Sequence, residues 1–327
     1  MRALICQHWG GVEDLVFGEL ATPAPGPHQV LIEVAATAVN YADAIMVSGN
    51  YQTKPPLPFA PGLETAGTVV ACGSAVTRFA PGDRVMALLH YGGMAEYAVA
   101  DDVDTWVIPP AMSLLDAAAF PVAYFSSDVA LRWAGRLGAG ETLLVLGAAG
   151  GVGLTAVEIG HAMGARVIAC ASTAEKRAVA RERGADETID YTTGDLTAAV
   201  MALTDGRGAD VCFDPIGGDL FDPALSALGW GGRYVLVGFV GGIPQIPANR
   251  LLVKNRAALG SALRYYRWHA PDKLQETVAA LFAWYAEGRL RPLVTHQLPL
   301  EQGIEALQFL TGRRAHGRVL VLPRGPL

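Results

Sequence analysis

Apolar residues in this chain come in short runs, and what separates the runs changes near residue 121. Before that point the breaks are clusters such as Pro23, Pro25, Gly26 and Pro27, then Pro55, Pro56 and Pro58, then Pro81 and Gly82. Short apolar runs bounded by Pro and Gly predict strands, here over residues 30–37, 67–71, 84–88 and 95–99. A small, partly closed barrel is expected. From Ala123 onward, strand-length runs alternate with stretches of helical period. Strands are predicted over residues 142–146, 166–171, 187–190, 209–214 and 233–237, with helices over 152–163, 174–183, 196–204 and 221–228. Such alternation implies right-handed crossovers and a doubly wound parallel sheet, an α/β fold. A strand near 257–263 would complete six, and a helix over 271–287 and a strand over 318–322 close the chain. The expected domains are residues 1–122 with 261–327, and residues 123–260.

The run at 142–146 leads straight into Gly147, Ala148, Ala149, Gly150, Gly151, Val152 and Gly153 and then a helical pattern. Strand, glycine turn and helix start in that order suit a dinucleotide pyrophosphate. The glycines let the backbone approach, and the helix N-terminus offers unpaired N–H groups and partial positive charge. The amides of Ala149, Gly150, Gly151 and Val152 are the candidates. The pattern is Ala148-x-Gly150-x-x-Gly153, with Ala in place of the usual first Gly. The next strand would usually end in an acid that holds a ribose 2′-hydroxyl. Ser172 stands there instead, followed by Lys176 and Arg177. A hydroxyl and cations attract a 2′-phosphate that a carboxylate would repel, so the expected cofactor is NADPH rather than NADH.

Composition narrows the picture. The chain has 327 residues, 51% hydrophobic, with a formal net charge of −6. That suffices for two cores and argues against nucleic acid as a main partner. Arg256, Arg264 and Arg267 form only a loose basic patch. The four cysteines show no C-x-x-C spacing, which argues against disulfides and a structural zinc site. Cys6, Cys170 and Cys212 lie in apolar strand patterns and are expected to be buried thiols. The first residues lack a signal-peptide apolar segment, and the longest apolar stretch, 142–157, is short for a membrane span. A soluble cytoplasmic protein is expected. The seven histidines are dispersed, with no nucleophile–base constellation among them.

Motifs along the whole chain carry a resemblance: Asn40-Tyr-Ala-Asp43, Pro61-Gly-Leu-Glu-Thr-Ala-Gly67, Pro81-Gly-Asp-Arg-Val85, the glycine turn, Gly184-Ala-Asp186, Asp214-Pro-Ile-Gly-Gly218 and Val237-Gly-Phe239. Together they resemble the zinc-free quinone oxidoreductase (zeta-crystallin-like) family of the medium-chain dehydrogenase/reductase superfamily. The resemblance implies a GroES-like β-rich domain beside a Rossmann domain. It also implies NADPH-dependent, metal-free reduction of quinones or conjugated carbonyl compounds. Zinc-dependent relatives place Cys where Asn40 stands and His where Leu63 stands, and their four-cysteine lobe is missing, so no metal is expected; Glu64 is read as structural. Ser172, Lys176 and Tyr191 would hold the 2′-phosphate. Ser126, Gly238, Phe239 and Arg313 would reach the cofactor elsewhere, and Asn40 would bond cofactor or substrate carbonyl in the interdomain cleft. Tyr51 matches the place where related enoyl-thioester reductases carry a proton donor. A homodimer through the edge strand of the Rossmann sheet is implied, near residues 256–263. Two other readings stay open. One is an enoyl-thioester or alkenal reductase, for which Arg264 and Arg267 would supply cationic surface. The other is a non-catalytic NADPH-binding protein.

Overall fold

The computed structural model describes residues 1–312 and 314–326. Two compact units divide the chain: Met1–Val122 with Pro292–Leu327, and Ala123–Arg291. The first unit opens with β1 (Arg2–Ile5) and β2 (Val16–Glu19), an antiparallel pair. Then follow β3 (Gln29–Ala38), β4 (Glu64–Cys72), β5 (Arg84–Leu88), β6 (Tyr97–Asp101) and β7 (Thr105–Val107). Long β3 organises them. One edge pairs with β4; the other is shared between β6 along its first half and, near Thr37 and Ala38, a strand from the end of the chain. Its side chains alternate, with Val30, Ile32, Val34 and Ala36 facing inward against Val69, Val85 and Ala98. Each fully buried aliphatic side chain of this kind contributes about 1.5–3 kcal/mol.

The second unit carries β8 (Thr142–Val145), β9 (Arg166–Cys170), β10 (Glu187–Ile189), β11 (Ala209–Asp214), β12 (Leu228–Leu236) and β13 (Ala257–Gly260). All are parallel, in the order β10-β9-β8-β11-β12-β13. This is the doubly wound arrangement, with the order reversing beside β8. Helices Gly151–Ala162, Ala174–Glu182, Leu196–Leu203 and Phe221–Ala227 make the crossovers. Because helices cover both faces, the central strands are buried throughout and read as unbroken apolar runs; β8 is buried at every residue. Back in the first unit, β14 (Val294–Pro299) and β15 (Arg318–Leu322) pair in parallel, and β15 joins β3.

Two expectations need correction. The chain returns to the first unit at Pro292, not at residue 261. The helix Pro271–Ala286 is tied to the second unit: Thr277 donates to buried Asp128 at 2.7 Å and accepts from the Trp133 indole at 3.1 Å. Leu274, Val278 and Leu281 are buried along the same helix. The sixth strand also stops at Gly260, and residues Leu263–His269 form a helix instead. Its partner strand β12 ends in register with Gly260, so nothing continues the ladder.

Candidate functional site

Within the second unit, the candidate residues gather at the carboxyl ends of the strands. Leu146, just after β8, donates its amide to Phe213, and Ala148 donates to Cys170, so the turn is strapped to both neighbouring strands. Gly147 has φ +59°, a conformation that favours glycine. A Cβ on Gly153 would lie 2.1 Å from the Gly147 carbonyl oxygen, so only glycine lets the helix start this close to the strand end. The helix Gly151–Ala162 has Gly150 at its N-cap and no side-chain cap. Its first amides, with that of Ala149, are therefore available to a phosphate, whereas the Gly150 amide is already donated to the Gly147 carbonyl at 2.9 Å. Ser127 donates to the Val152 carbonyl at 2.9 Å and pairs with Thr155 at 2.8 Å. This contact seats the helix Pro121–Asp128, and with it half-buried Ser126, against the first turn of the glycine helix.

At the end of the next strand, Ser172 and Lys176 are half-buried, and among the described residues neither side chain has a protein partner. Thr173 caps the helix between them, accepting from the Lys176 amide at 3.2 Å. Half-buried Tyr191 packs on the core formed by Leu144, Ile168 and Ile189. Asp190, which follows β10, is fully engaged. Arg177 binds one oxygen at 2.7 Å, and Thr192 gives the other an amide and a hydroxyl at 2.9 and 2.6 Å. Those bonds from Thr192, and the Arg177 charge, hold its carboxyl below the usual range. Arg177, one of the cations that follow Ser172 in the sequence, is thus paired with Asp190.

Asp214, which sequence reasoning quoted only as part of a motif, fixes the remaining turn. Buried at the end of β11, it accepts from the amides of Ile216 and Gly217 at 2.7 and 2.9 Å and from the Tyr234 hydroxyl at 2.7 Å. Burial pushes its carboxyl up and these donors pull it back. The loop so held receives amides from Val237, Gly238 and Gly241, which places Gly238 and half-exposed Phe239 beside it. Ile216 also backs Gly147. An acid followed by Pro and two glycines at a strand end was the available signal. Arg313 lies outside the described residues.

In the first unit Asn40, Asp43, Glu64 and Arg318 are buried. Asn40 donates to Glu64 at 2.8 Å and to the Ala38 carbonyl at 3.3 Å, and its oxygen accepts from both Arg318 terminal nitrogens at 3.2 and 3.1 Å. Arg318 also pairs with Glu64, whose second oxygen accepts from the Val122 amide at 2.7 Å. Two donors and two lone pairs are all that a carboxamide has, so Asn40 is saturated by the protein and has no bond left for a substrate carbonyl. Arg318, an arginine opening an otherwise apolar strand, was the clue that went unread. Leu63 is buried among apolar neighbours. Among the described residues, no three His, Cys, Asp or Glu side chains are grouped to hold a metal ion. Tyr51 follows the helix Tyr41–Val47 and the Gly49 turn and packs partly buried on the same core as Met46 and Phe59. Phe59 in turn meets Trp9 and Tyr91 at ring-centroid distances of 5.7 and 5.9 Å. Trp9, not anticipated, backs the Gly49 turn.

The Asp43 carboxylate accepts from the Asn40 backbone amide at 2.7 Å, closing the first turn of that helix. Complete burial, with the Glu64 charge adding to it, pushes the carboxyl up to about 7, against the pull of the Asn40 and Gly62 amides and of Arg318. Between its ordinary value of 3.8 and about 7, the folded protein holds a proton that the unfolded chain has released. Stability therefore falls as pH rises through that window and levels off above it. Chemical denaturation at a series of pH values should show wild type losing stability relative to Asp43→Asn, with a slope of up to roughly 1.4 kcal/mol per pH unit. A difference that stays flat from pH 4 to 8 would remove Asp43 as the titrating group.

Comparison with known proteins bears on both units. Residues 26–110 match the family model described as alcohol dehydrogenase GroES-like domain, and residues 151–284 match the model described as zinc-binding dehydrogenase. A sea-anemone protein (Nematostella vectensis) named quinone oxidoreductase-like protein 2 homolog is 39% identical, covering 98% of this chain and 88% of its own length. Among solved structures, a probable oxidoreductase from Mycobacterium abscessus is 37% identical with a TM-score of 0.89, covering 99% of both chains. Escherichia coli quinone oxidoreductase complexed with NADPH is 28% identical with a TM-score of 0.92, covering 99% of this chain and 100% of its own.

Proposed function

Because the chain belongs to the quinone oxidoreductase family of the medium-chain dehydrogenase/reductase superfamily, we propose that it is an NADPH-dependent, metal-free cytoplasmic reductase of quinones or other conjugated carbonyl compounds. The observation that carries the reading is the chemistry at the ends of β9 and β10. Lys176 and Ser172 have no protein acceptor among the described residues, and the Asp190 carboxylate that follows β10 is already covered by Arg177 and Thr192. A 2′-phosphate meets attraction there, while a free ribose hydroxyl finds no carboxylate to hold it. The complex of the Escherichia coli relative with NADPH supports the same choice.

In this reading Ser172, Lys176 and Tyr191 bind the 2′-phosphate. The amides of Ala149, Gly151 and Val152 bind the pyrophosphate, with Gly150 as the N-cap that holds the turn through its bond to Gly147, and Ser126, Gly238 and Phe239 orient the nicotinamide. When bound, NADPH supplies a hydride. Asn40 acts as a positioning residue, since its hydrogen bonds are spent on Glu64, Arg318 and Ala38. For enone acceptors, Tyr51 delivers the proton to the α-carbon; quinones take theirs from water.

Following NADPH absorbance with a small ortho-quinone should show fast oxidation of NADPH and little of NADH. Lys176→Ala should raise KM for NADPH roughly tenfold to a hundredfold, the worth of a hydrogen bond to a charged group, with the NADH value little changed. Equal use of both cofactors by wild type would sink the phosphate assignment. NADPH binding without turnover of any quinone or enone would favour a non-catalytic binding protein. Tyr51→Phe should cut enone reduction about a hundredfold or more and leave quinone reduction near wild type; unchanged enone turnover removes Tyr51 from the chemistry.

We also propose a homodimer through β13. Among the described residues that strand has a single neighbour, and Trp230, Leu252 and Val253 stand 77%, 78% and 79% exposed near its start. A second copy would cover both the open edge and the apolar patch. Light scattering should give about twice the 34.4 kDa chain mass and a monomer for the double variant Leu252→Glu, Val253→Glu. A wild-type monomer at micromolar concentration rules this out.

A further inference from the structure

Asp214 is an acid where an uncharged acceptor would serve the fold. Its side chain is buried at the end of β11, beside β8, where the strand order reverses. The turn asks of it only hydrogen-bond acceptance. Oδ1 takes the amides of Ile216 and Gly217 at 2.7 and 2.9 Å, and Oδ2 takes the Tyr234 hydroxyl at 2.7 Å. An asparagine oxygen could accept the same two amides. A carboxylate kept from water without a cation is costly, and among the described residues no cation pairs with this one.

The groups around Asp214 do not share its charge. Tyr234 faces it from β12, and Cys212 lies two residues before it on β11, with Cys170 beyond on β9; burial pushes all three up, so each is uncharged. Beside it, β8 carries only Thr142 and apolar residues. Arg233 is paired with Glu141 and lies in register with Val211, toward the other end of the strand. Asp219 and Asp222, in the turn and helix that follow, are exposed, and from that helix Phe221 packs on the Tyr234 ring at 4.9 Å. The loop that Asp214 holds supports both cofactor turns. The Ile216 side chain lies against Gly147, the Asp214 carbonyl takes the amides of Val237 and Gly238 at 2.8 and 3.4 Å, and the Ile216 carbonyl takes that of Gly241 at 2.7 Å. The buried charge thus sits one hydrogen-bonded layer below Gly238.

We propose that Asp214 is a fixed charge that favours the oxidised, cationic form of the nicotinamide ring, and that Tyr234 is the positioning residue that holds it. This rests on the NADPH reading above, which sets the nicotinamide at Gly238 and Phe239. The ring is neutral in NADPH. Hydride leaves C4 with two electrons for the acceptor, and one positive charge remains on the ring. A carboxylate fixed beneath lowers the energy of that charge without touching it. The Tyr234 hydroxyl and the two amides keep the carboxyl ionised against its burial. Removing the hydroxyl therefore lets Asp214 take up a proton at higher pH, and the charge is lost as pH falls through that value.

Calorimetric titration of NADP⁺ and of NADPH, each into wild type, Asp214→Asn and Tyr234→Phe over about pH 5 to 8, tests this. Protonation of the 2′-phosphate affects both dinucleotides alike and cancels in the ratio of their affinities. Asp214→Asn should lower affinity for NADP⁺ relative to NADPH about three- to tenfold, the range for one fixed charge in a partly screened site. It should also lower kcat while leaving KM for NADPH within about twofold, the mark of an interaction made after the ground state. Tyr234→Phe should match wild type near about pH 8 and approach Asp214→Asn as pH falls. Equal weakening of both dinucleotides by Asp214→Asn would make Asp214 a plain loop acceptor and overturn the proposal. A Tyr234→Phe ratio that stays flat with pH would overturn it too. If thermal melts show that Asp214→Asn does not fold, the pH series on Tyr234→Phe decides. Wild type that binds neither dinucleotide would instead overturn the NADPH reading.

Discussion

A carboxylate taken wholly out of water must be answered by a cation and by hydrogen-bond donors, and Glu64 imposes that demand on the β-rich unit. Arg318 supplies the charge, Asn40 an amide, and Val122 a backbone N–H. These residues come from the start of β4, the end of β3, the last strand and the exit toward the second unit. Satisfying one buried group therefore fixes four separate segments at once. Such a pair contributes little net stability against a well-packed apolar replacement, but removing one member leaves an uncompensated charge at a cost of about 3–5 kcal/mol. Asn40 is held so completely that it serves geometry, and the helix it starts carries the chain toward Tyr51.

The nucleotide unit solves a similar problem twice. Asp214 is buried and spends both oxygens on loop amides and Tyr234, and so sets the turns beneath Gly147 and Gly238. Asp190 is near the surface and spends both of its oxygens on Arg177 and Thr192. An acid occupied in this way has no oxygen left unbonded within the protein.

Much of the architecture was legible along the chain. Parallel strands covered on both faces must be continuous apolar runs, so 142–146, 166–171 and 209–214 stood out, and the glycines between strand and helix marked the turn. What escaped was non-local. Nothing near Arg318 says that its partners are Asn40 and Glu64, and nothing near residue 277 says that Thr277 bonds Asp128. The domain return was consequently placed about thirty residues too early. The short helix Tyr41–Val47 was hidden because its signal is a single bond, from the Asn40 backbone amide to Asp43. Trp9 gave no sign of its place because its role is to back a turn forty residues away.

The position of Arg318 also imposes a timetable. The pair it forms with Glu64 spans 254 residues of chain. At about 5–20 residues per second of synthesis, roughly 10–50 s separate the appearance of the carboxylate from that of its cation. During that interval the contiguous second unit can fold on the ribosome, whereas the first holds an unanswered acid and lacks the strand that lies beside the end of β3. The β-rich unit is thus begun first and finished last, and the nascent chain must keep Glu64 hydrated until its partner emerges.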